Sequence, residues 1–189
     1  MRYAVLGDSE LSGLPPALEA LVRDELAEGE KPAWAGRPRV GRMVLGSLPM
    51  FVFGIFFFGF AAFWTGGAYL VGGPMALFGL LFLGVGLGML ASPLWAGYKA
   101  SRTCYALTSR RAITWEPEIG AGLRVRSYRP EDLRSLVRNQ RGDGSGDLIF
   151  EEVTSYGHKG RRHVTRRGFL AIDDVRGVEN LIRSTLLRD

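Results

Sequence analysis

The feature that most constrains this chain is a run of 56 residues, 43–98, that contains no Asp, Glu, Lys, Arg or His. Two apolar blocks of 22 residues, 43–64 and 74–95, lie within it and are separated by the glycine-rich segment 65–73. At about 1.5 Å per residue, each block forms a helix of about 33 Å, which matches a hydrocarbon core of about 30 Å. We therefore expect a transmembrane helical hairpin at residues 43–98, with helices at about 43–64 and 74–95.

Aromatic residues and flanking charges predict the orientation of this hairpin. We expect aromatic anchors at both membrane interfaces: Trp64 and Tyr69 at one, Trp95 and Tyr98 at the other. Positive charges flank the hairpin on Arg37, Arg39, Arg42, Lys99, Arg102, Arg110 and Arg111, whereas the connecting segment has none. By the positive-inside rule both termini are predicted to be cytoplasmic, in a multi-pass protein of the inner (plasma) membrane.

Small residues in the second apolar block leave two interpretations open. Gly84 and Gly88 form a small-xxx-small pair, and Gly79 and Gly86 add surface for close packing. Such glycines suit either an oligomer interface or the packing of two helices within one hairpin. Because the hairpin has no ionisable residue, a proton relay or a charged pore has no groups to use. We expect the hairpin to anchor the protein rather than to transport a solute.

Residues 1–42 are predicted to hold an amphipathic helix followed by an extended cytoplasmic segment. Apolar residues recur at helical spacing across residues 15–29, and the polar face of that helix is acidic. An acidic face avoids anionic lipid, so we expect the helix to dock on the cytoplasmic domain or to capture a partner. Residues 30–39 are expected to lead to the membrane, with Trp34 as an anchor.

Residues 99–189 carry the basic charge of the chain, with eighteen Lys and Arg against twelve Asp and Glu. Their pattern predicts strands at residues 103–108, 112–116, 123–128, 133–139, 147–153 and 166–172, with a glycine-rich turn at 141–147. An apolar stripe predicts a final helix with Asp173 or Asp174 as its N-cap. The expected fold class is α+β: the transmembrane hairpin plus a small antiparallel sheet or barrel capped by a C-terminal helix.

A resemblance to a known group extends this expectation. It is carried by residues 30–38 (EKPAWAGRP), two apolar helices, residues 105–111 (YALTSRR), residues 144–150 (GSGDLIF), Gly168-Phe169 and the helix at 178–187. In this order the segments resemble bacterial membrane proteins with pleckstrin-homology-like (bacterial PH) domains and cover roughly residues 28–188. The resemblance implies a PH-like curved antiparallel sheet capped by a C-terminal helix. It also implies a protein without catalytic activity, because members of the group are generally non-enzymatic.

No catalytic, cofactor or metal site is predicted from the residue pattern. Nothing assembles a nucleophile, a base and an orienting group, so we do not expect an enzyme. The glycine-rich turn lacks the Gly-Lys-Ser/Thr of a phosphate loop. His158 and His163 flank a basic loop rather than a thiolate or carboxylate cluster, and Cys104 is the single cysteine. Neither a metal site nor an intramolecular disulfide is therefore expected.

The one charged cluster with a candidate role is the loop at residues 158–167 (HKGRRHVTRR). Its candidate binding residues are Lys159, Arg161, Arg162, Arg166 and Arg167. Arginine forks suit phosphate, and basic clusters at the cytoplasmic leaflet gain about 1 kcal/mol per charge on anionic lipid. The loop is equally compatible with a solvated hairpin tip. Nucleic-acid binding is not expected, because the loop lacks interleaved aromatic residues for stacking.

These patterns predict a membrane-anchored, non-catalytic interaction or scaffolding module whose cytoplasmic PH-like domain is residues 99–189. Its expected partners are the lipid bilayer and either a protein partner or a second copy of the chain. The alternative is a sensor of anionic phospholipid headgroups that uses the 158–167 loop. No cofactor is expected in either case.

Overall fold

The computed structural model describes residues 14–71, 74–118, 120, 122–156 and 162–187. Its elements, in chain order, are α1 (Pro16–Glu25), β1 (Pro32–Gly36), α2 (Val40–Leu70), α3 (Met75–Leu90), α4 (Ser92–Ser101), β2 (Cys104–Thr108), β3 (Ala112–Pro117), β4 (Leu123–Tyr128), β5 (Val137–Gln140), β6 (Gly146–Tyr156), β7 (Arg162–Ile172) and α5 (Val175–Leu186). The chain divides into two compact units: Met1–Arg39 with Ala100–Asp189, and Val40–Lys99. We call the first the sheet unit and the second the apolar unit.

The apolar unit is helical. Within the described part of the chain, α2 is the one helix that by itself is long and apolar enough to cross a membrane. α3 and α4 meet the same criterion only as a pair, and they are bent by 43° at the break between them.

The helix ends differ from the sequence prediction in two places. The connecting segment predicted from residue 65 is wrong as far as Leu70, because α2 continues through it. Glycine is tolerated there, since in an apolar environment the helix keeps its backbone groups bonded internally. The second predicted helix, 74–95, is broken at Ala91. Pro93 accounts for this break, because its ring clashes with the carbonyl of the residue four positions earlier and it has no N–H to donate.

α2 and α3 pack as an antiparallel pair in which glycines allow a close approach. A Cβ atom on Gly54 of α2 would lie 2.8 Å from Met89 Cβ of α3. A Cβ on Gly86 of α3 would lie 3.0 Å from Phe58 of α2. Neither position has room for a side chain, so the glycines set the distance between the two helices.

The two interpretations of the small residues apply to different glycines. Gly79, like Gly86, is buried against α2, and an added Cβ there would overlap Thr65. A Cβ on Gly84 or Gly88, in contrast, would have no atom within 4 Å. Packing within one hairpin therefore explains Gly79 and Gly86, while the small-xxx-small pair takes no part in it.

The sheet unit is α+β, with antiparallel sheets and a C-terminal helix. One sheet has four strands in the order β1-β2-β3-β4, and the other has three in the order β5-β6-β7. All neighbouring strands are antiparallel. β1 and β2 flank the apolar unit in the chain, yet they pair directly, with Gly36 opposite Tyr105. The residues before and after the apolar unit thus belong to one ladder.

The aromatic core of the sheet unit is centred on Phe169 of β7. Its ring centroid lies 4.9 Å from that of Phe150, 5.1 Å from that of Tyr105 and 5.3 Å from that of Trp34. The expectation that Trp34 is a membrane anchor is therefore wrong. It lies on β1 and packs on Phe169, because β1 is a paired strand and not a free lead into the membrane.

A second cluster forms where α1 docks on the four-stranded sheet. Leu14, Leu18 and Val22 are buried against Cys104, Ala106, Ile113 and Trp115. This packing confirms the expectation that the amphipathic helix docks on the domain. At the other end of the chain, the Asp174 carboxylate accepts a hydrogen bond from the Gly177 N–H (2.9 Å) and caps α5, as predicted.

Most predicted strands are present, with one partial error. β4 coincides with the predicted strand at 123–128, and β6 and β7 extend beyond their predicted ends. The strand predicted at 133–139 is wrong in its first half, where the chain turns and the Leu133 N–H donates to the Pro130 carbonyl (3.2 Å). Leu133 belongs to the turn and not to a strand, and its side chain is buried in the core.

Candidate functional site

The predicted basic loop belongs to the β6–β7 hairpin, which has a buried and an exposed half. Each strand is 11 residues long. Near the core, Leu148 and Phe169 are fully buried. Beyond Phe150 and Gly168 the two strands are largely exposed, and we call residues 151–156 and 162–167 the outer hairpin.

A β-bulge separates the two halves. The pairing shifts between Ile149 and Glu151, and Gly168 lies opposite Ile149 with φ of 149°. A Cβ atom on Gly168 would lie 2.0 Å from the Leu148 carbonyl oxygen. Only glycine fits so close to the neighbouring backbone, and bulges of this kind change the direction of a strand pair.

Two of the candidate arginines are paired within the outer hairpin. Arg166 Nε lies 3.1 Å from Glu152 Oε1, and Arg167 Nη1 lies 3.1 Å from Glu151 Oε2. Each pair joins residues that are directly opposite across the two strands. The charge of both arginines is therefore balanced locally. The sequence prediction missed this because the carboxylates lie outside the basic segment.

Among the described candidates, Arg162 lies at the tip and has no carboxylate opposite it. It lies opposite Tyr156 and has no ion-pair partner among the described residues. Lys159 and Arg161 lie outside the described residues. The structure thus does not bring the three described candidates together as one site: two belong to the base of the outer hairpin and Arg162 to its tip.

The two faces of the outer hairpin differ in character. Tyr156, Arg162 and Val164 lie on one face, because Tyr156 pairs with Arg162 and the next pair on that face is Thr154–Val164. Tyr156 is 75% exposed and Val164 is 37% exposed. We call these three residues the tip face. On the opposite face the corresponding pair is polar, Ser155 with His163.

A second cluster, missed by the sequence prediction, lies where the N-terminal segment meets the β2–β3 turn. The Glu30 carboxylate accepts hydrogen bonds from Arg111 Nε and Nη2 (both 3.1 Å), from Thr108 Oγ1 (2.6 Å) and from the Ala27 N–H (2.9 Å). Arg111 also donates to Ser127 Oγ (2.9 Å). We call Glu30 and Arg111 the clasp. Its polar atoms are occupied by one another, so it holds the chain together rather than offering groups to a ligand.

The surroundings of Glu30 keep it ionised. Burial raises the pKa of its carboxyl, but the hydrogen bonds from Arg111, Thr108 and Ala27 outweigh this, so its pKa lies below the ordinary value of 4.5. Both residues were visible in the segments EKPAWAGRP and YALTSRR. Their contact was not, since 80 residues and the whole apolar unit lie between them in the chain.

An open cleft of about 640 Å³ lies beside the outer hairpin. Its walls include Arg126, Tyr128, Glu131, Asp132 and Glu151. Three of these side chains are acidic and one is basic, which does not suit an anionic headgroup. Burial raises the pKa of the Tyr128 hydroxyl, whose oxygen has no hydrogen-bond partner in the described part of the chain.

The acidic turn between β5 and β6 is occupied by its own neighbours. Asp143 accepts from the Ser145 N–H and Oγ, and Asp147 accepts from Arg141 Nη2 (3.1 Å) and the Ala171 N–H (2.7 Å). Among the residues that the structure describes, no three His, Cys, Asp or Glu side chains are grouped to hold a metal ion. Cys104 is buried, and burial raises the pKa of its thiol to about 12.

No protein-family model, curated protein or solved structure matches this chain.

The predicted aromatic anchors lie on two helices of the apolar segment. Trp64 and Tyr69 are in the second half of α2, with 37% and 75% of their surface exposed. Trp95 and Tyr98 are in α4, where their rings stack with centroids 5.5 Å apart. Their place at a membrane interface stays a prediction.

Proposed function

We propose that this chain is a membrane-anchored, non-catalytic interaction module. In this proposal a PH-like sheet domain is held at the inner leaflet by a two-pass helical hairpin. There it binds a protein partner or a second copy of the chain.

The observation that carries this proposal is the direct pairing of β1 with β2. Gly36 and Tyr105 are neighbours in one antiparallel ladder, so the two ends of the apolar segment lie on the same side of any membrane that the chain crosses. This pairing supports an even number of crossings. α2 is long enough for one crossing, and the α3–α4 pair offers the return despite its 43° bend. A proline bend of this kind is tolerated in membrane helices.

The flanking charges support a cytoplasmic sheet unit. Arg37, Arg39 and Arg42 precede or begin α2, and Lys99 and Arg102 end or follow α4. Residues 65–73, between the two apolar blocks, contain no positive charge. By the positive-inside rule, this distribution favours both termini in the cytoplasm and the connection between α2 and α3 on the opposite side.

The PH-like assignment is supported by the architecture of the sheet unit. The resemblance implies a curved antiparallel sheet capped by a C-terminal helix, and the sheet unit consists of antiparallel sheets and a C-terminal helix. Strand β1, which contains Trp34 of the EKPAWAGRP segment, is an integral part of the first sheet. The resembling segments before and after the apolar helices therefore meet in one domain.

A partner role is supported by the exposed edge of the first sheet. β4 pairs with β3 on one side only, and Leu123 and Val125 on it are each 40% exposed. Exposed edge strands accept an added strand from a partner through backbone hydrogen bonds. Self-association through the apolar unit is the other route, with Gly84 and Gly88 at its surface.

Two measurements on the full chain test this function. Reporter fusions at the N- and C-termini should both be active on the cytoplasmic side, and a cysteine placed at Ala68 should react with an impermeant reagent from outside. Cross-linking in native membranes should then yield a specific adduct that is lost when Val125 is replaced by Lys. Termini on opposite sides would contradict the two-pass anchor, and an unchanged adduct in the Val125 variant would contradict the β4 edge.

The second candidate function is binding of anionic phospholipid. It is favoured by exposed Tyr156 and by Arg162 opposite it, which has no ion-pair partner among the described residues. Lipid binding should be tested on the full chain. A fragment starting at residue 102 lacks β1 and Glu30, and so loses one strand of the first sheet and half of the clasp. Neither candidate function uses a cofactor or nucleic acid.

A further inference from the structure

We propose that the tip face, Tyr156, Arg162 and Val164, inserts into the headgroup layer of the anionic bilayer that holds the apolar unit. This inference rests on the proposed membrane anchor. The contact is made by three residues on one side of one hairpin and not by the basic loop as a whole.

The chemistry of the tip face matches a membrane interface. Tyr156 combines an apolar ring with a hydroxyl that stays hydrated, which is why tyrosine is enriched at this depth of a bilayer. It is 75% exposed, and Val164 on the same face is 37% exposed. The opposite face presents Ser155 and His163 at the same level, so at the tip the apolar contact is on one side of the hairpin.

The charge distribution selects an anionic surface rather than a neutral one. No acidic residue occurs between Glu152 and Asp173, a stretch that includes five Lys and Arg residues. Glu151 and Glu152 balance Arg167 and Arg166 at the base of the outer hairpin. Among the described basic residues of this stretch, Arg162 at the tip is thereby the one without a carboxylate opposite it, and such a charge adds attraction to an anionic leaflet.

Short chain connections tether the sheet unit to the apolar unit. Three residues, 37–39, join β1 to α2, and two residues, 102–103, join α4 to β2. Links this short give the tethered sheet unit a high effective concentration at the membrane that the apolar unit crosses. A contact too weak to recruit a free protein is then sufficient for a tethered domain.

The experiment uses the full chain in nanodiscs made either of phosphatidylcholine alone or with phosphatidylglycerol. A single cysteine replaces Thr154, which pairs with Val164 on the same side as the tip face, or Ser155, on the opposite side, and carries a spin label. Cys104 is 0% exposed and does not compete for the reagent, which the unsubstituted protein checks. Depth is read from the accessibility of the label to dissolved oxygen relative to a water-soluble nickel complex.

We expect the Thr154 label to become membrane-embedded in phosphatidylglycerol nanodiscs, and the Ser155 label to stay in water. Arg162→Gln should lower the ratio of embedded to free label about five-fold, the equivalent of about 1 kcal/mol for one charge. Tyr156→Ser should also lower it, at constant charge. The matched control is the double variant Glu152→Gln with Arg166→Gln, which removes a balanced pair and should leave the ratio unchanged.

Each other outcome contradicts a defined part of the inference. Equal water exposure of the Thr154 label in both lipids excludes insertion and leaves the tip to a protein partner. Equal embedding of the Thr154 and Ser155 labels excludes the one-sided contact. Failure of the chain to enter nanodiscs at all is a separate result, because it removes the membrane anchor itself.

Discussion

The sheet unit uses Arg–Glu pairs in two opposite surroundings. In the clasp, the Glu30 side chain is 1% exposed and its partner Arg111 is 24% exposed. In the outer hairpin, Glu152 and Arg166 are 49% and 59% exposed. The same two residue types therefore form a closed, buried contact in one region and a solvated contact in the other.

This difference distinguishes charges that hold the fold together from charges that remain accessible at the surface. A buried ion pair is costly to break, because the remaining charge is left without a partner in a poorly solvated place. An exposed pair gains little and exchanges readily with water or with another charged surface. The clasp is thus suited to fix the segment between α1 and β1, whereas the outer hairpin keeps its charge accessible.

The largest effect is expected from Glu30→Ala. This change leaves Arg111, the Thr108 hydroxyl and the Ala27 N–H without their shared acceptor. We expect a loss of about 3–5 kcal/mol, as for other broken buried pairs. Thermal unfolding in detergent, followed by intrinsic tryptophan fluorescence, measures it. Glu19→Ala, which breaks the exposed pair with Arg23, is the matched control, and equal effects of the two would refute the distinction.

The second-largest loss of stability is expected from a substitution at the bulge between the two halves of the β6–β7 hairpin. Gly168→Ala combines a left-handed φ of 149° with a collision against the Leu148 carbonyl, and should cost about 2–4 kcal/mol. Gly144→Ala is the control, since Gly144 has φ of 80° but no atom within 4 Å of an added Cβ. It should cost only about 1 kcal/mol, the conformational part alone. The same unfolding assay compares them, and similar losses would show that the collision with β6 is unimportant.

The pH dependence of stability sharpens the comparison further. Because the folded pKa of Glu30 lies below 4.5, its contribution is present above the unfolded pKa and is lost as the pH falls through the folded pKa. The effect is smaller than that of Glu30→Ala, since a protonated carboxyl keeps some of its hydrogen bonds. The wild-type protein should therefore lose more stability than Glu30→Gln between about pH 5 and about pH 3, the range around the ordinary Glu pKa. Parallel melting curves for the two proteins across this window would argue against an ionised clasp.

Local patterns were sufficient to predict much of the fold. The apolar stripe and Asp174 predict α5 with its cap, and the residue pattern at 123–128 predicts β4. β1 was not found among the predicted strands, because five residues containing Pro32 and Gly36 lack a strand pattern of their own. It is a strand because β2 supplies its partner and Phe169 supplies the surface for Trp34. Such long-range contacts are not encoded in the spacing of nearby residues.

The candidate site was predictable in location but not in composition. The basic segment was found, since charge density is visible in the sequence. Within this segment, Arg166 and Arg167 are balanced by carboxylates, whereas Arg162 lies separately at the tip. This division depends on the register between β6 and β7. A one-residue change of register would move Tyr156 to the other face. Tyr156 was overlooked for the same reason, as it precedes the basic run and joins it only through strand pairing.

The smallest effect is expected for the Glu152–Arg166 pair, and a double-mutant cycle measures it. Glu152→Ala, Arg166→Ala and the double variant should give a coupling energy of about 0.2–1 kcal/mol, because both side chains are about half exposed and water replaces the lost partner. The same cycle on Glu30 and Arg111 should give a clearly larger coupling. Added salt should weaken the first coupling and leave most of the second, since screening acts mainly on solvated charges. If the two couplings are equal and respond alike to salt, burial does not separate them, and the outer hairpin has no more accessible charge than the clasp.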